Sequence, residues 1–418
     1  MTTHDVEVAI VGGGAAGIAA ARTLRDAGVN ALILEARDRL GGRAWTLASA
    51  GGFPIDLGCG WLHSADQNPW REIAEASGYA IDQTPPPWSR PVAPIGRPPA
   101  EQAEIGRAMG EFRGSVDEFP EGGPDRPASE FLESGGRWNG VLNAISTFYS
   151  GAEVERISAR DLARYDDTGV NWRVVEGYGS VVAGYGAGLP AELGCVVKQI
   201  DRRGKRLVIE TSAGAMTASA VIITLPSNVI ARAESLFLPA LPDKVAAASG
   251  LPLGLADKLF LSLSDAEEFH TESRVFGRTD TVATAAYHFR PLGRPEIEAY
   301  FGGTLAAELE VGGERAFADF AVAELVRLYG SAFAKRVTPF AHHAWGTDPY
   351  ALGSYSYAKP GHADDRAALA MPVEDRIYFA GEACSRADYS TAHGAFRTGV
   401  DAARQAVLAL RRKPVQTA

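Results

Sequence analysis

Cysteine is scarce in this chain. The 418 residues include three, Cys59, Cys195 and Cys384, too far apart to give metal-ligand spacing, so no metal site is expected and a reducing, cytoplasmic location fits. No apolar run approaches membrane-spanning length, and no basic segment followed by an apolar one precedes Val6, so neither an anchor nor a signal peptide is expected. Positive charge is also short. Against 51 Asp and Glu there are 41 Lys and Arg, a net charge of -10, which disfavours nucleic acid as a partner and mildly attracts cationic substrates. What remains, 46% hydrophobic and 22% charged residues, is ordinary for a soluble globular protein of two or three domains.

The informative stretch is Val6 to Trp45, EVAIVGGGAAGIAAARTLRDAGVNALILEARDRLGGRAW after Val6. Val6, Val8, Ile10 and Val11 suit a buried parallel strand, and Gly12, Gly14 and Gly17 then fall in the spacing G-x-G-x-x-G. That spacing permits a tight turn, an approach of backbone N–H groups to a pyrophosphate, and close packing of the next helix, read here as Ala15 to Ala27. A second strand, Ala31 to Leu34, ends at Glu35, whose carboxylate can accept both ribose hydroxyls of an adenosine. Strand, glycines, helix, strand and acid in this order predict a dinucleotide-binding unit.

Gly41, Gly42 and Arg43 follow Glu35 and offer a second glycine turn with a guanidinium for the same pyrophosphate. Together with YFAGEACSRADYSTAHGAFRTG (378–399), this resembles the flavoprotein amine oxidase superfamily, most closely its polyamine oxidases and the related histone lysine demethylases. The resemblance spans almost the whole chain. It implies bound FAD, an α/β Rossmann-like FAD domain, and a second, mixed-sheet substrate domain. It also implies the contacts: Gly12, Gly14, Ala15, Ala16, Gly17, Glu35, Ala36, Arg37, Gly42 and Arg43 in the first unit, Val197 at the adenine, Thr224 in the returning strand TLPSNVI, and Gly381, Glu382, Thr391 and Ala392 near the far end.

Further matches follow in chain order. DLGCGWLH (56–63) resembles the polyamine oxidase passage along the flavin and brings in Gly58, Gly60, Trp61 and His63; His63 alone would more commonly be a buried structural histidine. The proline-rich 84–99 reads as an extended surface linker, and Ala100 to Ser150 as helical without a chemical motif. Near VEGYGSVV (175–182) Glu176 replaces the family's usual first glycine, and three strand-like runs, Cys195 to Asp201, Arg206 to Thr211 and Ala218 to Leu225, form a meander. In LGLADKLFLSL (253–263) a strand lysine would ordinarily face solvent; the resemblance makes Lys258 the lysine that holds a water at flavin N5. A helix is expected from Glu314 to Tyr329, a last strand from Arg376 to Glu382, and a final helix capped by Ser390 or Thr391.

Two departures refine the resemblance. Ser354 stands before Tyr355 where tethered members carry cysteine, so FAD is expected to be non-covalent, and Thr391 stands where monoamine oxidases place the second tyrosine of the substrate cage, with Tyr389 nearby. Trp345, which as a bare residue would more often be core, matches the tryptophan on the isoalloxazine edge. The resulting expectation divides the chain into FAD-binding segments 1–82, 175–250 and 344–418 and substrate segments 83–174 and 251–343. Its implied activity is oxidation of a primary or secondary amine, such as a polyamine, to an imine by hydride transfer to FAD, with O2 as reoxidant, peroxide and aldehyde as products, and Lys258, Tyr355, Trp345, Thr391 and His63 as the catalytic set. A monomer or homodimer is expected. The alternatives are an FAD-dependent desaturase or protoporphyrinogen-oxidase-like enzyme, or an L-amino-acid oxidase.

Overall fold

The computed structural model describes residues 5–49, 51–90, 98–120 and 122–412; the middle of the proline-rich linker, residues 91–97, lies outside them. The opening stretch folds as read. Val8 to Val11 are buried, as a central parallel strand requires, in β1 (Asp5–Val11); α1 (Ala15–Asp26) follows the glycines, and β2 (Ala31–Leu34) returns parallel to β1. An excursion over residues 36–190 carries α2 (Pro99–Asp117) and α3 (Asn139–Ser150). The chain then adds β3 (Ala191–Glu192), the antiparallel meander β4 (Val197–Asp201), β5 (Leu207–Thr211) and β6 (Ala215–Ile223), and β7 (Phe237–Leu238).

The second sheet comes next, with β8 (Ala256–Leu263), β9 (Ser273–Phe276), β10 (Ala286–Phe289), β11 (Glu296–Gly302) and β12 (Val337–His342) in the spatial order β9-β10-β11-β8-β12. Every neighbouring pair in it is antiparallel, so this sheet is not the mixed one expected. Short connections join β9 to β10 and β10 to β11, which forces antiparallel pairing. The one helical crossover, α4 (Gly303–Tyr329), joins β11 to β12, which lie on opposite sides of β8 and so never pair. The mixing falls instead in the first sheet. There β1 pairs parallel with β2 and β6, β4 to β6 run antiparallel, and the last strand, β13 (Ile377–Phe379), pairs parallel with the end of β6.

α4 begins eleven residues before the expected Glu314, with a break at Gly313 (φ 69, ψ -170). Its first half shows little apolar periodicity, and Val311 is exposed, so that half was not legible. Leu305, Phe317, Ala321 and Leu325 pack it on Leu259, Leu261, Ile297, Ala299 and Phe301, one face of the second sheet. The final helix, α5 (Ala392–Arg412), lies against α1; a Cβ on Gly399 would stand 2.2 Å from the Ala16 carbonyl oxygen, so only glycine allows that approach. Among the described residues no helix is long and apolar enough to cross a membrane.

Candidate active site

At the end of the first strand pair, Glu35 follows β2 directly. Its buried carboxylate accepts the Gly13 N–H at 2.6 Å and the Arg37 N–H at 2.8 Å, and its carbonyl accepts the Cys195 N–H, which brings the approach to β4 and Val197 alongside. α1 starts after Gly14 with no capping side chain, leaving the first-turn N–H groups at Ala15 and Ala16 available to an anion. The two glycine turns abut: Gly41 N–H donates to the Gly13 carbonyl, and a Cβ on Gly42 would stand 3.1 Å from the Gly14 Cα. Thr224, just past β6, donates its hydroxyl to the carbonyls of Val11 and Gly12. Beside this lies an open cleft of about 600 Å³ lined by Ala36, Arg37, Arg39, Trp45, His343 and Tyr350. An uncapped helix start, a held ribose acid and paired glycine turns fit FAD. The guanidinium of Arg37 is committed to a two-bond ion pair with Asp348, both at 2.8 Å.

Arg43 reaches the far segment, donating to the Ser354 carbonyl at 2.8 Å and to Glu382 at 2.9 Å. The other Glu382 oxygen accepts from the Ser356 hydroxyl (2.6 Å) and the Ser390 N–H (3.0 Å). Burial alone would raise the Glu382 pKa, but Arg43 and these donors outweigh it and hold the group below its usual range. Behind Ser356, the fully buried Arg366 makes two 2.7 Å bonds to Asp161 and stacks over the Tyr389 ring at 3.7 Å. Thr391, not Ser390, caps α5, accepting the Gly394 N–H at 3.0 Å, and the Ala392 carbonyl accepts the Trp70 indole N–H.

Lys258 is buried, contrary to the ordinary expectation for a strand lysine. Its Nζ lies 2.8 Å from the Asp56 carbonyl oxygen and 2.8 Å from Glu298, and 3.3 Å from where a Gly60 Cβ would stand. Burial works against this ammonium, yet Glu298 outweighs it and lifts the pKa above the usual lysine range; Lys258 and His288 in turn bring Glu298, which burial alone would raise, down from 4.5 to about 2. Trp345, also buried, donates its indole N–H to the Leu57 carbonyl at 3.2 Å. Gly58 packs between Trp345 and the Arg43 carbonyl, where a Cβ would stand 1.7 Å from that oxygen. Lys258, Gly58, Gly60 and Trp345 therefore converge on one place.

The remaining candidates are more dispersed. The Tyr355 hydroxyl donates to the Phe148 carbonyl at the end of α3, and burial drives its pKa well up, so the phenol is neutral. Tyr389 donates to the Asp161 carbonyl and meets Tyr165 edge-on at 5.0 Å, so Arg366 and Tyr165 occupy its ring. His63 turns to Asn171 at 2.5 Å and, with its pKa lowered by burial, is neutral. Trp61 stacks with His288 at 6.5 Å and meets Trp88 at 4.6 Å, so the proline-rich segment contributes a ring here and is more than a linker.

The family model described as flavin containing amine oxidoreductase matches residues 15–146 and 137–407. The chain belongs to this flavin-containing amine oxidoreductase family. Polyamine oxidase 3 of Oryza sativa subsp. japonica is 30% identical over 96% of this chain and 89% of that protein, and polyamine oxidase 2 of Arabidopsis thaliana is 29% identical over 96% and 88%. Putrescine oxidase bound to putrescine has the same fold, with a TM-score of 0.76 at 20% identity over 97% of this chain and all of that one. The amine oxidoreductase is thus an FAD-dependent amine oxidase.

Several residues that organise this amine oxidase's site escaped the sequence reading. Gly13 holds Glu35, Asp161 holds Arg366, and Glu298 stands beside Lys258 with His288 on its other oxygen. The last two carried a signal. EIEAYFG (296–302) places Glu296 and Glu298 at alternate positions of an otherwise apolar strand, which puts both on one sheet face, and AYHF (286–289) sets His288 among apolar residues.

Proposed function

We propose that this enzyme oxidises a primary or secondary amine of the polyamine type, with FAD held non-covalently and O2 as reoxidant, releasing hydrogen peroxide. The observation that carries the reading is the convergence of a charged, buried Lys258 with Gly58, Gly60 and Trp345 on one place reached by the dinucleotide fold. The polyamine oxidases among its relatives and the net charge of -10 support a cationic substrate.

Bound FAD supplies the two-electron acceptor. The chain supplies position and exclusion of water. Glu35, the first turn of α1 and Arg43 would hold the adenosine and pyrophosphate; Lys258 would offer a fixed ammonium N–H for one ordered water; Trp345 and Tyr355 would wall the amine's binding place, the Tyr355 ring being fixed by the Phe148 carbonyl. Thr391 and Ala392 open α5, whose first-turn N–H groups would favour negative charge on the reduced cofactor. We read 1–82, 175–250 and 344–418 as the FAD-binding segments, 83–174 and 251–343 as the substrate segments, and the protein as a cytoplasmic monomer or homodimer. A peroxide-release screen over primary amines, secondary amines and polyamines tests the reading; peroxide with none of them rejects it.

A further inference from the structure

The second sheet has two unlike faces. One is the apolar face covered by α4. On the other, register sets Tyr300 opposite Lys258, Glu298 opposite His288, and His288 opposite Arg274. A sheet face of this kind normally meets water, yet Lys258, Glu298, His288 and the neighbouring Glu272 are all at most 9% exposed.

These groups form a continuous chain. Lys258 Nζ lies 2.8 Å from Glu298 Oε1, Glu298 Oε2 lies 3.7 Å from His288 Nδ1, and His288 Nε2 lies 2.7 Å from Glu272 Oε2. Glu272 Oε1 then meets Arg173, which also pairs with Asp82. Apolar residues would stabilise such a sheet as well or better, so the buried row calls for a reason besides folding. Its inner end at Lys258 supplies one.

We propose that His288 is a positioning residue that acts on Lys258 through Glu298, so that gain or loss of its Nδ1 proton changes how the bound flavin reacts. This rests on the reading of Lys258 as the lysine at the flavin. The short bond to Glu272 keeps the Nε2 proton in place, so the proton that leaves, to solvent, is the one on Nδ1. With the imidazolium present, Glu298 divides its charge between two cations. Once Nδ1 is bare, its lone pair faces the carboxylate, and Glu298 turns its full charge to Lys258. The groups facing His288 are Glu272 and Glu298, with Arg274 across from it on β9, Arg173 beyond Glu272, and the Trp61 ring against it. Burial alone would favour the neutral ring, but the two carboxylates outweigh it and raise the pKa.

The test joins two readouts. In apoprotein labelled with 15N-histidine, the His288 imidazole, assigned by its absence in His288→Gln, should titrate above the usual histidine range, and Glu298→Gln should lower that pKa by roughly one unit or more. In holoenzyme stopped-flow runs, the half-reaction that Lys258→Met slows should show a pH limb at the same pKa in wild type and a flat profile in His288→Gln. An imidazole indifferent to Glu298→Gln, or a limb that survives in His288→Gln, overturns the proposal. Lys258→Met kinetics equal to wild type would instead reject the reading of Lys258 itself. If His288→Gln retains no FAD, the wild-type imidazole pKa, assigned by elimination among the eight histidines, and its response to Glu298→Gln decide.

Discussion

Replacing Glu35 by alanine separates what the residue does for the chain from what it does for the cofactor. In the chain its carboxylate accepts two backbone N–H groups, Gly13 at 2.6 Å and Arg37 at 2.8 Å, so Glu35→Ala leaves two donors without partners at a buried position. Hydrogen bonds to a charged group contribute about 1.5–3 kcal/mol each, so the glycine turn should loosen even without ligand. Loss of the ribose contact is a further term of about the same size, or roughly 10- to 150-fold in FAD affinity at 1.4 kcal/mol per tenfold. Titration of apoprotein with FAD by fluorescence quenching reads the second effect, and amide exchange at Gly13 in the apoprotein reads the first. Glu35→Gln, which keeps one acceptor and loses the charge, should fall between wild type and alanine. Fast exchange at Gly13 with wild-type FAD affinity would show that Glu35 serves only the turn, and the adenosine assignment would be lost.

Four further outcomes follow from the site. Lys258→Met takes the nearer of its two cations from the buried Glu298 and leaves only His288 at 3.7 Å, so stability should fall, by up to about 3–5 kcal/mol, and flavin reduction or reoxidation should slow, whereas adding Glu298→Gln should restore stability and not rate; thermal unfolding and stopped-flow traces check the two arms. Tyr355→Ala should impair amine turnover more than FAD retention, and equal losses in steady-state kinetics and cofactor content would count against Tyr355 as a pocket wall. Glu272 and Glu298 have pKa values depressed from 4.5 to about 2, so the stability they confer is complete above about pH 4.5 and lost as pH falls toward 2; unfolding should set in over that window, and an acid transition unmoved by Glu298→Gln would contradict it. Acid precipitation should leave the yellow colour in the supernatant. The Ser354 hydroxyl is engaged by the Ala256 backbone, and burial pushes the Cys59 and Cys384 thiols up to about 12; flavin mass on any cysteine peptide would refute the non-covalent reading.

What the sequence made legible was the part set by local chemistry. β1, α1, β2 and Glu35 follow from strand residues, glycine spacing and a terminal acid within one short stretch, and a cap at Ser390 or Thr391 was legible by residue type, the structure choosing Thr391. Long-range pairing was less visible. Glu298 supports Lys258 from forty residues away, across an antiparallel neighbour, and Arg366 meets Asp161 from another part of the chain altogether. The second sheet's strand directions hinge on which strands become neighbours, and nothing in their apolar runs encodes that. The early half of α4 lacked periodicity because Gly313 breaks the helix and Val311 faces outward.

Amine oxidation by the bound flavin is tested most directly by one anaerobic titration. FAD-loaded protein is mixed without oxygen with putrescine, spermidine, spermine and simple primary and secondary amines while the visible flavin band is followed. Bleaching by at least one of these amines, with colour restored on admitting air and peroxide appearing in step, is the result predicted. A flavin that binds tightly, is bleached by dithionite, and stays oxidised with every amine would contradict it.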